Sequence, residues 1–143
     1  MTTYKTDFYQ WSREQSEYLR LGKYDCVDWE NLIEEIEYMG KSQKRALVSY
    51  LERLLDHLLK LYYWEFERER CSKHWRKEVA NFRLQIKKIL RDNPSLKKEL
   101  EPIWLEIHPE RIKVMRELFD IPSNVLISLD DALTDDWFPN DTV

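Results

Sequence analysis

The chain has 143 residues, 43% of them hydrophobic and 35% charged, with two glycines and a net charge of −4. That composition excludes an intrinsically disordered chain, and so little glycine argues against a sheet with many hairpins. A chain of this size buries roughly two thirds of the surface its unfolded form exposes, so a single helical domain over residues 1–143 with a real core is expected.

Cys26 and Cys71 stand without a CxxC or a Cys/His ladder, which fits reduced thiols rather than a disulfide or a zinc site. The stretch MTTYKTDFYQW lacks a basic start followed by an apolar run, and the most apolar segment is interrupted by Asp56, His57 and Lys60. A cytoplasmic protein that does not cross a membrane is therefore expected. Charge is segregated: residues 1–40 carry 4 basic and 9 acidic side chains, residues 41–98 carry 16 and 7, and residues 99–143 carry 3 and 11. A basic middle invites an anionic partner such as nucleic acid. Acidic end helices packed beside basic middle ones explain the pattern better, so nucleic acid is not the favoured partner.

In chain order, Asp7 and Gln10 make a capping-box pattern that opens a first helix, lined by Phe8, Trp11, Tyr18 and Leu19 and stopped by Gly22. Gln15 falls inside that apolar seam, where a buried amide needs hydrogen-bond partners. A second helix starts near Asp25 or Asp28 and runs to Gly40, with Trp29, Leu32, Ile33, Ile36 and Met39 as its apolar face and Glu30, Glu34 and Glu37 stacked on one flank. Ser42 then caps the core helix, where Leu47, Leu51, Leu54, Leu58 and Leu61 step by four and three and Val48, Leu55 and Tyr62 add a second stripe, as far as Phe66.

A connection is expected near Cys71 and Ser72. After it, Trp75, Val79, Phe82, Ile86 and Ile89 mark a helix that packs on the core helix and ends at Asp92 and Asn93. Pro94 begins the next, with Leu96, Leu100, Ile103 and Ile107 as its stripe and Ile112, Met115 and Phe119 continuing it; Pro102 and Pro109 are expected to kink or divide this segment. Ser128 with Asp131 caps a short helix through Leu133, and Trp137 and Phe138 anchor an acidic tail, DDWFPNDTV. The fold class is all-α: an up-and-down bundle of about five or six helices around one long apolar helix, with a short helix at the C-terminus.

The strongest local signal for chemistry is the acidic flank set against His57. If the second helix lies antiparallel beside the core helix, Glu34 and Glu37 reach His57 and Lys60, and the plainest role for that histidine is a pairing with one carboxylate that holds two helices in register. Helical bundles build di-metal sites from Glu-x-x-His pairs, but three residues before His57, His74 and His108 stand Leu54, Cys71 and Leu105. A bound metal is the lesser reading and no cofactor is expected. Arg68 and His74 stand near the spacing used by some all-helical bacterial ribonucleases, which chance explains in a chain with 23 basic residues. No phosphate-binding glycine loop, nucleophile elbow or HExxH occurs. Trp11, Trp29, Trp64 and Trp75 lie in or beside apolar stripes, which reads as core packing.

Asp7, Trp11 and Gln15, then Asp28 with Asn31-Leu32 running into Glu34-Glu35-Ile36-Glu37, Gly40, the His57-Leu58-Leu59-Lys60 stretch, Trp75 and Pro94-Ser95-Leu96 together resemble the bacterial domain-of-unknown-function family number twenty-nine. Nearly the whole chain takes part. The resemblance implies a small, soluble, all-helical protein and brings no assigned activity. It marks Asp28, Asn31, Glu34, Glu35, Glu37, His57 and Lys60 as polar positions of the family. The chain departs in the tail, where Trp137-Phe138-Pro139 is close to the family's ending but the loop before it is short.

With no catalytic motif, the expected function is a binding or protein-interaction module that takes a protein partner or self-associates. Its polar centre is expected at Asp28, Asn31, Glu34, Glu37, His57 and Lys60. The alternative is a metal-dependent hydrolase or an RNA-acting nuclease built on the Glu/His cluster or on the basic middle.

Overall fold

The structure, a computed structural model, describes residues 3–139. Among them are five α-helices and no strand: α1 (Phe8–Arg20), α2 (Trp29–Tyr63), α3 (Glu65–Asp92), α4 (Leu100–Met115) and α5 (Leu129–Leu133), with 3-10 turns at Tyr24–Cys26 and Pro94–Glu99. The all-α class and the number of helices agree with the periodicity. No helix is long and apolar enough to cross a membrane among the described residues. The chain divides into two compact units, Met1–Ser42 and Gln43–Val143.

In the first unit the Asp7 side chain accepts the Gln10 backbone N–H at 3.0 Å and opens α1, and Gly22, at φ 71°, turns the chain out of it. That left-handed conformation suits glycine because it has no Cβ to clash. The helix expected to stop at Gly40 does not stop: the second and core helices of the sequence reading are one element, α2, with no cap at Ser42. Glycine inside a helix costs only about 1 kcal/mol relative to alanine, too little to break a helix of this length by itself.

The second unit is built around the leucines of α2. Leu47, Leu51, Leu54, Leu55, Leu58, Leu59 and Leu61 are buried with Trp75, Val79, Phe82 and Ile86 of α3 and Ile103, Trp104, Ile107, Ile112 and Met115 of α4 in one cluster. The break between α2 and α3 falls at Trp64, not near Cys71 and Ser72. Trp64 leaves helical geometry (φ −85°, ψ 70°) and stacks on Trp75 at 5.9 Å and on Phe119 at 5.1 Å. Arg68 donates to the carbonyls of Leu61 and Tyr62 at 3.2 and 3.3 Å, at the end of α2.

α4 runs through both expected breakpoints. Pro102 lies in its first turn, where backbone N–H groups have no intrahelical acceptor, and Pro109 lies inside it. The loop after α4 is pinned at Ile127: its carbonyl accepts Trp104 Nε1 at 2.9 Å, and its N–H donates to His108 Nε2 at 3.1 Å. Ser128 caps α5 as expected, accepting the Asp131 N–H at 3.1 Å. Trp137 and Phe138 pack against the core, which bears out their anchoring role, while residues 140–143 of the acidic tail lie outside the described residues. Acidic groups late in the chain meet the basic middle, as the segregated charge suggests: Glu99 pairs with Lys44 at 3.1 Å and Asp135 with Lys87.

Candidate functional site

The six side chains expected to form a polar centre fall into two units: Asp28, Asn31, Glu34 and Glu37 in the first, His57 and Lys60 in the second. α2 runs through Gly40 without a turn. Among the described residues, no group of three or more His, Cys, Asp or Glu side chains stands close enough to hold a metal ion.

Asp28 and Asn31 do meet, and the start of α2 explains how. Asp28 precedes the first helical residue, so its carboxylate turns over the first turn of the helix. There Oδ2 accepts the Asn31 side-chain amide at 2.8 Å and Trp11 Nε1 at 3.0 Å. The Asp28 N–H donates to Gln15 Oε1 at 2.6 Å, which is the partner that a buried Gln15 required. Asn31 and Trp11, as donors, hold the Asp28 carboxyl below the usual carboxylate range. Glu35, one helical turn further along the same face, accepts the Tyr4 hydroxyl, and that bond together with the carboxylate charge pushes the phenol up to about 12. Tyr4, Trp11, Gln15, Asp28 and Asn31 also border a cleft of about 470 Å³.

His57 is partly buried in the second unit. Its Nδ1 donates to the Arg53 carbonyl at 2.9 Å and its ring meets Phe82 edge-on at 5.0 Å, so a backbone carbonyl takes the place of the expected carboxylate partner. Burial, then the nearby Lys60 charge, lowers its pKa, and burial does the same for His108. Lys60 lies 6.0 Å from the centre of the Trp75 ring. Both histidines favour the neutral form when folded, so on acidification the unfolded chain takes up protons first. Stability is then full above the ordinary histidine value near 6.5, falls as pH drops below it, and levels off once the folded-state values are passed. Melting temperatures across this range check the trend. His108→Gln keeps an acceptor for Ile127 and removes one titration, so its decline should be shallower than that of the wild type; parallel declines would show that His108 plays no part.

The first unit buries only Trp11, Gln15 and Val27 among its described residues. Asp28, just before α2, bonds Trp11 and Gln15, and Asn31 and Glu35 follow on the same side of the helix at i+3 and i+7. The apolar face therefore points elsewhere: Trp29, Ile33, Ile36 and Met39 are 48%, 52%, 58% and 59% exposed. This corrects the reading of Trp29 as core; its Nε1 bonds the Tyr24 carbonyl at 3.0 Å while much of its ring stays in water. Beside this stripe Glu30, Glu34 and Glu37 are exposed, and among the described residues no carboxylate of the first unit forms an ion pair.

Comparison with protein-family models gives one decisive match: the model described as domain of unknown function DUF29 covers residues 3–138. The chain belongs to the DUF29 family. No curated protein and no solved structure matches it. For this DUF29 chain the match spans nearly the whole sequence, as the resemblance implied, and it brings no activity with it.

Sequence reasoning missed Tyr4 and did not assign Trp11 and Gln15 to the Asp28 cluster. A signal was present, because a buried amide in an apolar seam must find a polar neighbour. In the DUF29 chain Asp28→Ala strands the Trp11 indole N–H and the Asn31 amide. That change should destabilise the first unit by about 1–2 kcal/mol, read as faster amide exchange across α1; unchanged exchange would mean that water replaces the carboxylate at no cost.

Proposed function

We propose that this protein is a protein-interaction module and that the Trp29, Ile33 and Ile36 face of α2 is its docking surface. The observation that supports it is the exposure of this stripe. A helix in water normally turns its apolar residues inward, yet here the half-buried face is the polar one and the apolar face is uncovered. A contiguous exposed apolar strip rimmed by charge is the usual mark of an interaction site. Full burial of an isoleucine side chain is worth roughly 1.5–3 kcal/mol, so covering this strip supplies a real driving force for association. Asp28, Asn31, Trp11 and Gln15 serve that surface by fixing α1 to the start of α2 on the opposite side.

Photocrosslinking in cells tests the reading. A benzophenone side chain at position 33 should capture a protein in a defined adduct, and one at Arg53, exposed on the polar side of α2, should not. Equal yields, or none from position 33, would contradict it.

A further inference from the structure

We propose that the partner held on the Trp29, Ile33 and Ile36 face is a basic amphipathic helix, whose lysines and arginines are read by Glu30, Glu34 and Glu37. This rests on the docking-surface reading above and adds the chemistry of the occupant.

The argument is the charge on one side of the stripe. At about 100° per residue, Trp29, Ile33 and Ile36 span a narrow band, and Glu30, Glu34 and Glu37 lie together on one flank of it. The opposite flank carries Leu32 and Met39, which are uncharged, and Trp29–Gly40 holds four glutamates and no lysine or arginine. Some acids of the second unit do have cations: Asp56 receives two bonds from Arg111 at 2.8 and 2.7 Å, and Glu99 receives Lys44. Glu30, Glu34 and Glu37 are exposed and unpaired among the described residues, which leaves their carboxylates open to cations that a partner brings. A second copy packed antiparallel on this face would bring its own three glutamates alongside, like charge against like, which interfaces avoid. Nucleic acid and an anionic lipid surface meet the same repulsion. A helix with an apolar seam and basic flanks satisfies both the stripe and its rim, in the helix-on-helix mode of recognition.

Two fluorescently labelled synthetic helical peptides with the same leucine seam, one flanked by lysines and one by glutamates, provide the test by anisotropy. The lysine peptide should bind at least about tenfold more tightly, and added salt should narrow the gap. Glu30→Gln/Glu34→Gln/Glu37→Gln should remove the preference and keep binding, whereas Ile33→Ser/Ile36→Ser should lose both peptides. Circular dichroism checks that each variant is folded. Equal affinity for the two peptides would overturn the basic partner and leave the docking surface standing. A wild-type dimer in sedimentation, dissolved by Ile33→Ser/Ile36→Ser, would do the same and name a second copy. Binding of neither peptide by a strictly monomeric protein would sink both readings, as would lysine-peptide binding that survives Ile33→Ser/Ile36→Ser.

Discussion

Replacing Arg83 with alanine is expected to destabilise the second unit by about 3 kcal/mol and to release the segment after α5. Arg83 is only 3% exposed, and its Nε and Nη2 donate to the carbonyls of Ala132 and Trp137 at 2.7 and 2.8 Å. Its guanidinium also lies 5.4 Å from the centre of the Phe138 ring. Two effects oppose each other here. Burial of a charge is costly, and it lowers the Arg83 pKa although Asp135 and Asp136 act in the other direction. Against that, a hydrogen bond from a charged donor is worth about 1.5–3 kcal/mol, and alanine leaves the carbonyl of fully buried Ala132 without a donor. The bonds should win. Arg83→Met, which fills much of the volume without donating, separates the terms: urea midpoints should fall in the order wild type, methionine, alanine. A methionine variant as stable as the wild type would mean that the desolvation cost cancels the clamp.

Along α2, the same class of side chain should behave in opposite ways. Leu58 is fully buried, and Leu58→Ala should cost about 3 kcal/mol, because it loses transfer energy and leaves a cavity. Ile36 is 58% exposed, and Ile36→Ser should cost no more than about 0.5 kcal/mol in the isolated protein. Chemical denaturation of the two variants measures both. Comparable losses would mean that the Ile36 stripe is covered in solution.

Much of this was legible in the sequence, and the exceptions have physical causes. The four-and-three spacing of the α2 leucines and of Trp75, Val79, Phe82 and Ile86 located the core, and Asp7 and Ser128 located two helix starts, since caps and stripes are local signals. Gly40 reads as a stop, yet α2 continues through it, because a glycine reports only a local preference and the helix around it decides. The break at Trp64 depends on Phe119, which is distant in sequence, so no window around it could show the stacking. The site is half legible: the sequence singles out Gln15 and Asp28 separately, and only the approach of α1 to the start of α2 joins them. Periodicity finds the apolar face of Trp29, Ile33 and Ile36 but does not say that these side chains are half exposed.

That uncovered face is the central claim, and thiol labelling tests it most directly. In a Cys26→Ser/Cys71→Ala background at high dilution, Ile36→Cys should react with a maleimide at close to the rate of an unstructured peptide thiol, and the lysine-flanked peptide should slow it. Leu58→Cys should react only as the protein opens globally. An Ile36→Cys thiol as protected as the one at position 58, in a protein shown to be monomeric, would contradict the account.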